Sequence, residues 1–133
     1  MNKLHLLILF GLTVLQISST NPQAPFNELI IGKWSGIRKE TRNGIEKHRN
    51  GQLIKEVGIY DFQKNGVVID LTNPPYPAKL SFTIKGDLLV IGRLAFKIEK
   101  LDKNNLVIID FDPSTPNAPL AYRHYFKRHS PHK

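Results

Sequence analysis

Apolar and polar residues alternate with period two along much of the chain after residue 27. The cleanest stretch is Lys79 to Lys85, where Leu80, Phe82 and Ile84 face one way and Lys79, Ser81, Thr83 and Lys85 the other. That period belongs to a strand with one dry and one wet face. Similar runs are expected at Gly32–Lys39, Val57–Gln63, Val67–Thr72, Leu88–Ile91, Leu94–Leu101, Leu106–Phe111 and Leu120–Arg128. Turn signals separate them: Lys64-Asn65-Gly66, Gly86-Asp87, Gly92-Arg93 and Asp102-Lys103-Asn104. Two longer connections are stiffened by proline, Asn73 to Ala78 and Asp112 to Pro119. Glu40 to Glu56 is polar, holds Asn43-Gly44 and Asn50-Gly51, and reads as a hairpin loop with a short strand near Ile45. Helical periodicity is confined to one turn over Asn27–Ile31, with Asn27 as its cap. Eight strands in hairpin order, with no helix long enough for a crossover, predict an all-β antiparallel fold. Closing that sheet into an up-and-down barrel hides every edge.

The first twenty residues follow a different rule. One cation, Lys3, precedes an apolar run from Leu4 to Ile17, and Ser18, Ser19 and Thr20 follow. This is the order of a secretory signal peptide, with an apolar run shorter than a bilayer span. Residues 1–20 are therefore expected to be a leader, cleaved between Ser18 and Ala24, and residues 21–133 to be one barrel domain. No later stretch is apolar enough to cross a membrane as a helix, so the mature chain is expected to be secreted or periplasmic.

Composition narrows the chemistry. The 133 residues hold no cysteine. That excludes disulfides, thiol nucleophiles, Cys-ligated zinc and a lipid-carrying cysteine behind the leader. The net charge is +8, with Arg38, Lys39, Arg42, Lys47, Arg49 and Lys55 crowded before the second strand. A basic surface attracts an acidic protein or an anionic surface. Nucleic acid is not expected, because no basic strand face is studded with aromatic residues.

Gly32-Lys33-Trp34, after Leu29-Ile30-Ile31, resembles the opening of a lipocalin or calycin barrel. Phe62-Gln63-Lys64-Asn65-Gly66, Ile84-Lys85-Gly86-Asp87-Leu88-Leu89 and Ile98-Glu99-Lys100-Leu101-Asp102 are similar to stretches of small bacterial exported proteins of that kind. The closing Tyr125-Phe126-Lys127-Arg128 is similar as well, and the resemblance runs from about residue 29 to 128. The chain lacks the C-terminal helix and the disulfide of longer lipocalins. The resemblance implies an eight-stranded barrel whose closed end is plugged by Trp34 after a bend at Gly32. It also implies an arginine from the last strand laid across the indole, with Arg123 of Arg123-His124-Tyr125 as the candidate. Guanidinium on indole contributes roughly 0.5–2 kcal/mol.

No catalytic motif stands out: the chain has no G-x-S-x-G, P-loop, H-E-x-x-H or G-x-G-x-x-G. His48 lies among cations, and His129 and His132 lie in a tail broken by Pro131, so no metal site is assigned. His124 alternates with Tyr122 and Phe126 and stands opposite Arg123. Asp110 with Asp112 and Asp61 with Asp70 are the paired carboxylates, and they read as strand-end acids. The expected function is binding without catalysis or cofactor: a small apolar ligand held inside the barrel by Tyr60, Phe62, Ile69, Phe82 and Phe96. The alternative is a protein-binding module, an inhibitor or immunity-type partner, that uses the basic and Pro-rich loops around a filled barrel. Two ionisable side chains converging in the interior would favour a small enzyme instead.

Overall fold

The computed structural model describes residues 25–118 and 121–130. The expected leader, its cleavage zone, His132, and Pro119 and Leu120 at the edge of the last strand lie outside the described residues. One helical turn, α1 (Phe26–Leu29), precedes eight strands. These are β1 (Gly32–Thr41), β2 (Ile59–Phe62), β3 (Val67–Asp70), β4 (Ala78–Lys85), β5 (Leu88–Ile91), β6 (Leu94–Leu101), β7 (Asn105–Asp110) and β8 (Tyr122–Arg128). Each pairs antiparallel with its sequence neighbour, and β8 pairs back onto β1, so the barrel is closed. Among the described residues no helix is long and apolar enough to cross a membrane.

The helical turn differs from expectation. Pro25 takes the cap position in extended geometry, and no side chain caps the turn. Proline presets the backbone angle there and has no donor to orphan. No strand forms at Ile45. Residues 42–58 instead make turns and one isolated bridge, Lys47 to Leu53.

The closed end holds the core. Trp34, Phe62, Val68, Leu89 and Leu106 are fully buried there with Ile30, which follows α1. Phe62 meets Phe82 edge-on at 5.0 Å between ring centres, a favoured aromatic geometry. Ile69 does not join them. It pairs with Asp61 and Lys79, one step out of phase with Val68, and so stands on the outer face.

The strand connections sort the two ends. The short turns at 63–66, 86–87 and 102–104 lie at the Trp34 end, and the long connections 42–58, 71–77 and 111–121 lie at the other.

Candidate functional site

The plug at the closed end is built by direct register. Trp34 pairs across the sheet with Arg128, because the start of β1 lies opposite the end of an antiparallel β8. The indole Nε1–H donates to the carbonyl of Ile30 at 2.8 Å. The Arg128 guanidinium lies 4.3 Å from the indole ring centre. It donates to the carbonyls of Lys103 at 2.6 Å and Ile31 at 2.5 Å, and also to that of Leu29. One side chain thus ties α1, the β6–β7 turn and the tryptophan. Gly32 is required beside it. Its φ is +127°, and a Cβ there would sit 2.5 Å from Arg128 Nη1.

Arg123, the residue expected over the indole, is elsewhere. It stands on the outer face and holds Glu99 with two hydrogen bonds, 2.8 and 3.1 Å, and Glu40 with one, 3.2 Å. Its odd position relative to Tyr122, His124 and Phe126 sends it outward, while Arg128 shares their inward parity. Glu40 is buried beneath this outer layer. It accepts from Tyr125 at 2.6 Å and from Arg38 at 2.7 Å, and these donors with Arg123 hold its carboxyl below the usual range.

The other end of the barrel holds an open-mouthed cavity of about 860 Å³. Tyr60, Ile91, Phe96, Ile108 and Phe126 supply its apolar wall. Asp112, Pro113 and Thr115 of the long β7–β8 connection, Arg93 of the β5–β6 turn and Leu94 at the start of β6 also line it. Of the five expected interior residues, Tyr60 and Phe96 line this cavity. Phe62 and Phe82 pack into the closed half and Ile69 faces out. The proline-rich connection after β3 contributes nothing to the lining, and its Tyr76 is exposed.

A charged cluster sits in the cavity wall. His124 projects inward from β8, with Nδ1 against Glu56 Oε2 and Nε2 at 2.7 Å from Asp110 Oδ1. Its side chain is 12% exposed, that of Glu56 8% and that of Asp110 39%. Both acids are anchored from behind: Gly58 N–H donates to Glu56 at 3.0 Å and Tyr122 N–H to Asp110 at 3.1 Å. A neutral imidazole donates from one nitrogen only, so two facing carboxylates select the doubly protonated ring. Burial alone would push the His124 pKa down. The hydrogen bonds and charges of Asp110 and Glu56 outweigh it and hold the pKa above the usual histidine value. Burial likewise opposes ionisation of Glu56 and of Asp110, and the His124 hydrogen bond and charge hold both below the ordinary carboxylate range. Lys39 adds a further positive charge from β1, its ammonium 4.6 Å over the Tyr122 ring.

Glu56 reaches this place because two glycines make room. A Cβ on Gly36 would fall 2.3 Å from Glu56 Cγ, and one on Gly58 would fall 2.6 Å from the Tyr60 ring. A register shift in β1 between Gly36 and Arg38 then reverses the faces, so that Lys39 turns in and Glu40 out. The sequence places His124 on the Phe126 face and singles out Asp110 and Lys39. It pairs Asp110 with Asp112, however, puts Lys39 in the basic surface cluster, and gives no sign that Glu56 joins them. The alternation of β8 was the available signal for the histidine. Glu56 comes from a connection with no periodic pattern to follow.

No protein-family model matches the chain, and no curated protein sequence matches it.

Proposed function

We propose that the protein is a lipocalin-like, exported binding protein that holds one small, largely apolar ligand in the open half of its barrel. The observation that carries this reading is the cavity of about 860 Å³, within the range of small-molecule sites. Its wall is mostly aromatic and aliphatic; Glu56, His124 and Asp110 form a polar group that would orient a ligand, and Lys39, Arg93 and Asp112 add charge to the lining. Ionisable side chains converging in the interior are the feature expected to favour a small enzyme. Binding without turnover remains the proposal because His124 is committed to both acids. A general base needs a free lone pair, and both nitrogens of His124 face acids. A filled barrel acting only through its outer loops is the weaker reading, because a cavity of this size lies at the open end.

Trp34 lies in the closed end and is a poor reporter for the cavity. Phe96→Trp places an indole in the cavity wall instead. Titration of that variant with fatty acids, retinoids and other apolar probes should give saturable quenching at one ligand per chain. Native mass spectrometry of the wild type should show a co-purified small molecule or an accepted probe. A flat titration together with a bare mass would overturn the reading.

A further inference from the structure

The connection between β1 and β2 doubles back on itself. Lys47 bridges Leu53, Ile54 N–H donates to the Glu46 carbonyl at 2.8 Å, and His48 N–H donates to that of Gln52 at 2.8 Å. Exposure alternates along both arms of this hairpin. Ile45, Lys47, Leu53, Lys55 and Val57 are exposed, while Glu46, Ile54 and Glu56 are partly covered. The covered face carries Glu56 to His124. The open face therefore presents aliphatic and lysine side chains in turn.

Among the described residues six large apolar side chains are exposed, and four are here: Ile37 at 57%, Ile45 at 54%, Leu53 at 57% and Val57 at 64%. Ile37 protrudes at the β1 register shift and shares a groove with Leu53 and Val57. Lys47, Arg49 and Lys55 form no ion pair among the described residues. Three of these four aliphatic groups share one groove rather than standing singly, the pattern of a contact surface. The chemistry of that contact is set by the two residue types. Aliphatic side chains enter the acyl boundary of a bilayer, while lysine stems lie along it and carry their ammonium groups to the headgroup phosphates. A protein partner is more often met by aromatic and arginine anchors at the centre of the patch. No Phe, Tyr or Trp lies on this face, Arg38 in the groove is taken up by Glu40 and Glu46, and Arg49 sits at the hairpin tip away from the groove. The charge of the whole chain, +8, has the matching sign for anionic lipid.

We propose that the outer face of the 45–57 hairpin, with Ile37, docks on the surface of an anionic phospholipid bilayer. The opposite face of the same hairpin holds Glu56 in the cavity wall, so docking sets the open end of the barrel beside the membrane. The inference stands whether or not the cavity takes a ligand.

Co-sedimentation with vesicles tests it, using protein recovered after export. Wild type and variants share one N-terminus, so any affinity of that end cancels. Vesicles of phosphatidylcholine mixed with phosphatidylglycerol should retain the wild type, phosphatidylcholine alone should not, and added salt should weaken retention. Lys47→Gln and Lys55→Gln should each lower the partition coefficient about fivefold. Leu53→Ser combined with Val57→Ser should abolish retention. All four sites are exposed, so circular dichroism and Trp34 emission should stay unchanged and separate lost docking from lost fold. Equal retention of wild type and variants, or no retention by anionic vesicles, overturns the proposal. Capture by an acidic protein without affinity for vesicles overturns it as well.

Discussion

Arg128 and His124 show how one side chain can hold several elements at once. Arg128→Ala removes three hydrogen bonds to carbonyls and the face of the Trp34 indole. Bonds from a charged donor contribute about 1.5–3 kcal/mol each in favourable cases, and their losses overlap. The variant is expected to lose about 3 kcal/mol in chemical denaturation and to shift the Trp34 emission. Arg123→Ala should leave that emission where it is, since its partners are Glu40 and Glu99. A shifted spectrum in Arg123→Ala alone would undo the assignment. Trp34→Ala should cost about 3–5 kcal/mol as a truncation in a packed core. The His124 cluster has a pH signature. The raised His124 pKa contributes stability that is complete below the unfolded value and is lost as pH rises through the folded one. The lowered pKa values of Glu56 and Asp110 contribute stability above their unfolded values that is lost as pH falls through the folded ones. The cluster is therefore worth most between about pH 4.3 and 6.5. His124→Gln leaves two facing acids and should cost about 3 kcal/mol there, the low end for a broken buried pair because Asp110 is 39% exposed. The gap to wild type in melting temperature should shrink on both sides of that window, and a gap constant across pH would remove the charge argument.

At the level of elements, the glycines of β1 and of the chain leading into β2 decide which carboxylate can enter the barrel. Gly36→Val would put methyl groups where the Glu56 stem passes. The expected outcome is a loss of about 1–3 kcal/mol from overpacking. The pH dependence described for His124 should also flatten, because Glu56 is displaced from the ring. Gly36→Val with an unchanged stability profile would show that Glu56 does not need that path. The strands themselves were legible because side-chain period two is a local property. Lys79–Lys85, Leu88–Ile91 and Leu94–Leu101 can be read within a residue of their observed ends. What was not legible depends on parity carried across interruptions. The shift after Gly36 reverses the inward face of β1, and a periodic reading through it sends Lys39 and Glu40 to the wrong sides. Arg128 was within reach of the sequence, since it shares parity with Phe126 and an antiparallel β8 must end where β1 begins. Arg123 satisfied a local motif and failed that geometric condition. Glu56 had no such signal. A connection of seventeen residues separates β1 from β2, and its path is fixed by contacts it makes only once the barrel exists.

On the scale of the whole molecule, one closed sheet carries two ends of opposite character, and stability should be divided accordingly. The closed end concentrates Ile30, Trp34, Phe62, Val68, Leu89 and Leu106, each at most 2% exposed, and is sealed by Arg128. The open end surrounds a cavity of about 860 Å³ with long connections and a few polar ties. Local opening needs little free energy where few apolar contacts are broken, and the full unfolding free energy where the core must be exposed. Amides of β1 near Trp34, of β2 and of β5 should therefore exchange hydrogen only by global unfolding. Amides in 42–55 should exchange by local opening, orders of magnitude faster. Between them, Gly58 and Tyr122 donate their amides to Glu56 and Asp110, so their protection depends on the His124 cluster. His124→Gln should lower protection at Gly58 and Tyr122 by more than at Trp34 or Leu89. Native-state exchange resolved by residue checks the whole pattern. A uniform loss of protection around the barrel would mean that the two ends unfold as one unit, with the charged cluster supporting the entire fold rather than the wall of its cavity.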